Sequence, residues 1–342
     1  MNNSKIVLPA EWAEQSGVML TWPHAATDWA DMLDEVEVCF IAIAKAISER
    51  EKLLIVCQDH RLLTDKLRNC RAENIIFAEL SSNDTWARDH GAITVMIGDT
   101  LTLYDFTFNG WGMKFAANFD NQITSSLYNK AIFRGGVHYE NKMQLVLEAG
   151  SIESDGEGSL ITTRECLLSV NRNQFLTEKE IEKQLIGLFG LEQVHWLSSG
   201  YLAGDDTDSH IDTLARFCDS QTIAYVKCDD EHDEHFVALR LMEQELTSFR
   251  TLKNEPYHLI PLPMADVATA GGERLPATYA NFLIINGAVL VPFYDSSKDG
   301  IAAQQLQKAF PEREIIGIDC RPLIKQNGSL HCVTMQFPKG VL

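Results

Sequence analysis

Five times along this 342-residue chain a stretch with helical apolar periodicity is followed within a few residues by a short β-rich run, and that repetition constrains the fold more than any one motif. Residues 33–50 precede 53–57, 60–69 precede 74–80, 178–190 precede 194–198, 235–249 precede 257–263, and 298–310 precede 314–319. Between these units lie paired strands joined by turn residues. Residues 93–97 meet 101–108 across Gly98-Asp99-Thr100, 281–285 meet 288–293 across Asn286-Gly287, and 151–154 meet 159–163 across Asp155-Gly156-Glu157-Gly158. A recurring helix plus small sheet predicts an α/β chain built of modules set around an axis. No Pro/Gly/Ser-rich linker divides it, so residues 1–342 read as one domain.

Composition narrows the partners. Hydrophobic content of 45% and charged content of 23% are ordinary for a globular protein with a substantial core. The balance of 29 basic against 48 acidic residues gives a formal charge of -19, which argues against nucleic acid or an anionic membrane as partner and suits a small cation. Solubility alone also accounts for such acidity. The run Asp229-Asp230-Glu231-His232-Asp233-Glu234-His235 could be taken for a metal site, but an acidic helix start favoured by the helix dipole is the better reading. The eight cysteines are scattered singly, without the close spacing of zinc or thioredoxin motifs, and several, such as Cys57 in Leu53-Leu54-Ile55-Val56-Cys57, sit in apolar runs. That pattern fits a reducing compartment. The apolar run at the N-terminus is too short for a signal peptide and no run is long enough to span a membrane, so the expected location is cytoplasmic.

Four segments carry the residues of a possible reaction. Near the C-terminus, Gly328-Ser329-Leu330-His331-Cys332-Val333-Thr334-Met335-Gln336 places a cysteine behind a turn signal and among β-formers, a setting for a nucleophile. Asn83-Asp84-Thr85-Trp86-Ala87-Arg88-Asp89 is an acidic tryptophan loop between two strands, in which Asp89 is either aimed into a site or paired with Arg88. In Asp208-Ser209-His210-Ile211-Asp212-Thr213 an extended backbone would turn His210 and Asp212 to one face, though His-x-Asp is more often a structural pair. Leu147-Glu148-Ala149-Gly150-Ser151 ends an apolar strand, so Glu148 is either a turn residue at the surface or a buried carboxylate in need of a cation, such as a charged histidine. A guanidinium is planar and permanently charged, and carboxylates on two edges would hold it while a thiolate attacks its carbon. Asp89 and Asp212 are the candidates for those edges. A cationic substrate or a protonated His210 would lower the Cys332 pKa.

Taken in order, from Trp22-Pro23 to Gln336-Phe337-Pro338, these motifs resemble the agmatine deiminase and Porphyromonas-type peptidylarginine deiminase family of the guanidine-modifying superfamily. The resemblance implies a five-bladed α/β propeller, or pentein, with the site at its centre. It implies Cys332 as nucleophile, His210 as general acid and base, Glu148 as the carboxylate orienting the histidine, and Asp89 and Asp212 as the guanidinium clamp. Trp86 and Trp111, the latter in Phe108-Asn109-Gly110-Trp111-Gly112, fall near the substrate entrance or pack at its rim. No metal or organic cofactor is implied, and self-association into a homo-oligomer is.

Three departures from the family pattern stand out. Ala149 and Ser209 occupy usual glycine positions, and the segment after Asn109 lacks a Gly-Gly run. Either substitution is tolerable at negative φ and perturbing where the glycine conformation is required. The activity implied first is hydrolysis of agmatine to N-carbamoylputrescine and ammonia, in polyamine synthesis. The alternatives are a protein- or peptide-arginine deiminase, an amidinotransferase using an amine in place of water, and a non-catalytic guanidine-binding propeller. Retention of all five polar positions speaks against the last.

Overall fold

A computed structural model describes residues 5–342. Met1–Ser4, the start of the segment considered above as a leader, lie outside the described residues. Five mixed sheets of three or four strands, with a two-stranded hairpin besides, carry a mixed α/β fold. One arrangement recurs in all five: a strand with an antiparallel neighbour on one side and a parallel neighbour on the other. A parallel neighbour needs a crossover, and in each case a helix supplies it. Helix Leu33–Ser48 joins strands Gln15–Thr21 and Lys52–Cys57; Ile123–Asn129 joins Thr100–Thr107 and His138–Val146; Glu178–Phe189 joins Ser159–Thr163 and Gln193–Leu197. Phe236–Ser248 joins Thr222–Lys227 and His258–Pro263, and Asp299–Ala309 joins Ala288–Phe293 and Glu314–Asp319.

Local sequence explains these helices. In Leu33–Ser48, Val36, Phe40, Ile43, Ala44 and Ile47 recur at helical spacing, and all are fully buried. Glu178–Phe189 begins at a reciprocal capping box between Thr177 and Glu180. One expectation fails. Residues 60–69 form only the short 3-10 helix His60–Leu62 followed by turns. Leu63 and Leu67 of that stretch are buried, but Leu62 is 69% exposed, too narrow an apolar stripe to fix a helix between adjacent parallel strands. The fifth crossover is instead Ile123–Asn129, which its mixed composition concealed.

The two ends of the chain meet in one sheet. Strand Thr334–Pro338 pairs antiparallel with Gln15–Thr21, so the first module takes its antiparallel strand from the C-terminus. This pairing sets residues 328–333 against the short helices Ala87–His90 and Ile211–Thr213, both of which pack on Ala149–Ser151. No helix among the described residues is long and apolar enough to cross a membrane.

Candidate active site

Cys332 lies just before the closing strand, where backbone bonds from two distant segments fix it. Arg88 N donates to the Cys332 carbonyl at 3.1 Å, and His331 N donates to Asn281 Oδ1 at 2.9 Å. The thiol is 3.4 Å from Asn281 Oδ1 and 4.0 Å from Asp212 Oδ2. It faces a pocket walled by Trp86, Trp111 and Phe115. Trp86 packs against Gly328, where any Cβ would run into its ring, so the tryptophan loop and the cysteine loop are seated on one another. Trp86 and Trp111 meet edge to face at 6.1 Å.

Asp89 belongs to the short helix Ala87–His90, not to an open loop. Trp111 Nε1 donates to its Oδ2 at 3.0 Å and Gly150 N to its Oδ1 at 3.2 Å. Only glycine fits at 150, because a Cβ would stand 2.7 Å from His210 Nδ1 and 2.8 Å from Asp89 Oδ1. Trp111 reaches Asp89 from a left-handed backbone at φ 53°, between Gly110 and Gly112, which are also at positive φ. Burial, with Asp212 and Glu148 nearby, raises the Asp89 pKa to about 6 against the pull of His210.

His210 and Asp212 do come together at the site, by a different backbone from the extended one expected. Ile211–Thr213 is a 3-10 turn with His210 at its N-cap. His210 N donates to Thr207 Oγ1 at 3.1 Å and its carbonyl accepts from Thr213 Oγ1 at 2.8 Å. The imidazole Nδ1 stands 3.7 Å from Asp89 Oδ1, and Nε2 has no hydrogen-bond partner. Although burial disfavours the cation, Asp89, Cys166 and Glu148 raise the His210 pKa well above its ordinary value.

Glu148 is fully buried, which removes the surface reading, but its partner is not His210. Both its oxygens take the Arg172 Nε hydrogen, at 3.0 and 3.1 Å, and the same guanidinium bonds Asp208 Oδ2 at 2.5 Å and the Thr207 carbonyl at 2.8 Å. A direct Glu148–His210 hydrogen bond is therefore absent, because the stronger charged partner holds the carboxylate. Glu148 acts on His210 through space. Glu148, Cys166 and His210 offer ligand atoms within 4.8 Å of one another, as do Asp59, His60 and Glu79 at the surface. Arg172 places a cation against the first set and Arg61 bonds Asp59 in the second, so both carboxylates already have charge partners.

Beneath Asp212 runs a buried network that sequence reasoning missed. His331 Nδ1 lies 2.7 Å from Asp212 Oδ2 and its Nε2 lies 2.7 Å from Glu11 Oε2. Arg216 bonds Glu11 at 3.0 Å, Glu153 at 2.7 Å and the Phe282 carbonyl at 2.8 Å. Arg88 comes within 3.6 Å of Glu11. Despite burial, His331, His210 and Arg216 hold the Asp212 pKa below its ordinary value. Its Oδ1 is buried without a partner, an acceptor held free on the side away from His331. An arginine inside the apolar run Leu214-Ala215-Arg216-Phe217 was the one local sign of this network.

Cys332 itself departs from expectation. Burial, Asp212 and Asp89 raise its pKa well above the ordinary thiol value, so His210 alone does not make it a thiolate. A raised pKa means less thiolate at neutral pH. Alkylation of Cys332 by iodoacetamide, followed by peptide mass mapping, should therefore be slow at pH 7 with a midpoint above that of free cysteine. Asp212→Asn should move the midpoint down. A wild-type midpoint below free cysteine would overturn this electrostatic account.

The two departures at glycine positions separate. Ala149 lies outside the positive-φ residues, whereas Ser209 has φ 62° and Asp208 φ 65°, the left-handed region. Ser209 is held there by a bond from its N to Asp205 Oδ2 at 2.8 Å and by its carbonyl accepting from Thr163 Oγ1 at 2.8 Å.

The model of the Porphyromonas-type peptidyl-arginine deiminase family matches residues 7–338. The chain is 32% identical to the agmatine deiminase of Ectopseudomonas mendocina, covering 97% of this chain and 95% of that one. Among solved structures it is similar to one from Porphyromonas gingivalis named "Putative Arginine Deiminase", with 53% identity, a TM-score of 0.94, and 99% and 100% of the two chains covered. It is also similar to the C. jejuni agmatine deiminase with substrate bound, with 40% identity, a TM-score of 0.91, and 98% and 97% covered.

Proposed function

The chain belongs to the Porphyromonas-type peptidyl-arginine deiminase family, and from that premise we propose that it hydrolyses agmatine to N-carbamoylputrescine and ammonia. One observation carries the choice of substrate. The pocket above Cys332 is lined by the carboxylates of Asp28, Asp84, Asp89 and Asp206, and among the described residues no lysine or arginine lines it. Agmatine carries a positive charge at each end and suits such walls. Arginine would bring its α-carboxylate against them, and like-charge juxtaposition costs several kcal/mol.

In this reading Asp89 and the free Oδ1 of Asp212 clamp the guanidinium edges, with Trp86 and Trp111 as walls. The arriving cation offsets the two carboxylates that keep Cys332 protonated, and the thiol loses its proton to solvent. The Cys332 thiolate attacks the guanidinium carbon. His210, kept protonated by Asp89 and Glu148, gives its proton to the departing nitrogen, so ammonia leaves and a thiouronium remains. Neutral His210 then takes a proton from water, the hydroxide adds to the same carbon, and the C–S bond breaks to return the thiolate. The protonated ureido group sheds its extra proton.

We infer too that the five mixed sheets close as the five blades of a single α/β propeller with Cys332 near its hub. The shared arrangement of the five sheets and the pairing of the last strand with Gln15–Thr21 support it.

The test is ammonia and ureido product measured with agmatine, free arginine and an arginine-containing peptide. Agmatine should lead free arginine by about 100-fold or more in kcat/KM, since about 2.8 kcal/mol of repulsion from the α-carboxylate is two factors of ten, and it should also lead the peptide, which lacks agmatine's second positive charge at that end. A lead for the peptide would move the function to protein citrullination, and a lead for free arginine would refute the electrostatic argument.

A further inference from the structure

His331 stands next to the nucleophile in the chain but points away from the substrate pocket. Successive residues divide in the same way on the facing segment: Asp89 lines the pocket and Arg88 turns to the network behind it. His331 is 2% exposed and bridges two carboxylates that are themselves buried, Asp212 through Nδ1 and Glu11 through Nε2, at 2.7 Å each. Glu11 in turn is anchored at 3.0 Å by Arg216, from strand Ala215–Asp219, and approached at 3.6 Å by Arg88, from helix Ala87–His90. Glu153, from strand Ile152–Ser154, holds the other side of Arg216.

The geometry points to His331 as the positioning residue of the guanidinium clamp: by binding Asp212 Oδ2 it fixes the carboxylate with Oδ1 free for the substrate. This rests on the guanidinium site proposed above and adds how that site is held. A carboxylate rotates easily about its last bond, and Asp212 has few other restraints. Besides His331, its Oδ2 has the Cys332 thiol at 4.0 Å, and its Oδ1 has nothing. Without the imidazole, Oδ2 would keep only the long thiol contact, and the carboxylate would turn to find a stronger donor. The clamp would then be mis-set before substrate arrives. The far anchor matters for the same reason. Glu11, tied to Arg216, keeps the imidazole plane where Nδ1 meets Asp212.

Two substitutions separate a positioning role from simple filling of space. The amide of His331→Asn can stand where Nδ1 stands and donate to Asp212, whereas the longer His331→Gln places its amide near Nε2, donates to Glu11 and leaves Asp212 without its donor. Binding of agmatine and of guanidinium ion is measured by calorimetry in a Cys332→Ala background, so no turnover is needed, and wild-type turnover of agmatine is measured separately. His331→Asn should bind within about threefold of its parent, and His331→Gln about 10- to 100-fold more weakly, the range for losing a hydrogen bond to a charged group. In proteins with Cys332 restored, the change should appear in KM more than in kcat for His331→Gln. Should His331→Gln fail to fold, Glu11→Gln decides, with a binding loss of about threefold or more expected from the loosened anchor.

Equal binding by the Asn and Gln proteins, or unchanged binding in Glu11→Gln, would overturn the inference. Wild-type protein that binds guanidinium ion but leaves agmatine intact would refute the proposed substrate while the Asn and Gln comparison still judged the clamp. Wild-type protein that binds neither would sink both.

Discussion

Cys332→Ala should lower agmatine turnover by about 10^4-fold or more while barely changing the stability of the fold. Among the described residues Cys332 is the one thiol lining the pocket; the other walls are carboxylates, aromatic rings, side-chain amides and the Thr207 hydroxyl, all weaker nucleophiles toward a guanidinium carbon. Stability should hold because the thiol's contacts are weak. Its partners are Asn281 Oδ1 at 3.4 Å and Asp212 Oδ2 at 4.0 Å, and its removal takes a buried thiol away from two carboxylates without stranding a charge. The expected loss of one such contact is about 1 kcal/mol, a melting shift of a few degrees in a chain of this size. Turnover and thermal unfolding are measured on the same preparation. Activity above a tenth of wild type would place the nucleophile elsewhere, with Cys166 beside His210 as the other buried thiol within reach of the machinery. Full loss of activity with a collapse in melting temperature would make Cys332 structural instead.

Arg216→Met should have the largest effect on folding, about 3–5 kcal/mol at pH 8, because it breaks a buried ion cluster by removing its cation alone. Arg216 is fully buried, bonds Glu11, Glu153 and the Phe282 carbonyl, and lies over the Phe282 ring at 4.8 Å. Methionine keeps much of the stem but leaves both carboxylates short of charge. The pH dependence gives the sign. In the wild type, although burial opposes it, Arg216 and His331 depress the Glu11 pKa, so its ionised form contributes stability above the ordinary glutamate range that is lost as pH falls below it. Burial lifts Glu153 to about 7, so its share of stability falls as pH rises from the ordinary range through 7. Without Arg216 both carboxylates titrate higher, and both are protonated and tolerable in mild acid. The gap between variant and wild type should thus be widest at pH 8 and shrink toward pH 5. Denaturant unfolding at both pH values checks it, and a gap under 1 kcal/mol at pH 8 would show that Arg216 is dispensable to the core.

Much of the module pattern was legible because it is local. Helices Leu33–Ser48, Glu178–Phe189, Phe236–Ser248 and Asp299–Ala309 announce themselves by apolar periodicity within one or two turns, and the hairpin across Asn286-Gly287 by its turn residues. Residues 60–69 misled for the same reason in reverse. Their leucine spacing is helical, but the span between adjacent strands winds as turns. The candidate site divides similarly. Cys332, His210, Asp212 and Asp89 could be named from motifs because each sits in a short stretch of distinctive composition. The partners of these groups could not.

The chain alone determined which side chains are available and which segments coil or extend, since backbone preference and apolar periodicity act over a few neighbours. Tertiary structure alone decided what those side chains do. It paired His331 with Asp212 across 119 positions and with Glu11 across 320, gave Glu148 to Arg172 in place of His210, and brought the last strand to the first sheet. Those choices are electrostatic and packing contests settled only once distant segments share one low-dielectric interior, where an unpaired charge is too costly to keep and each must find its partner.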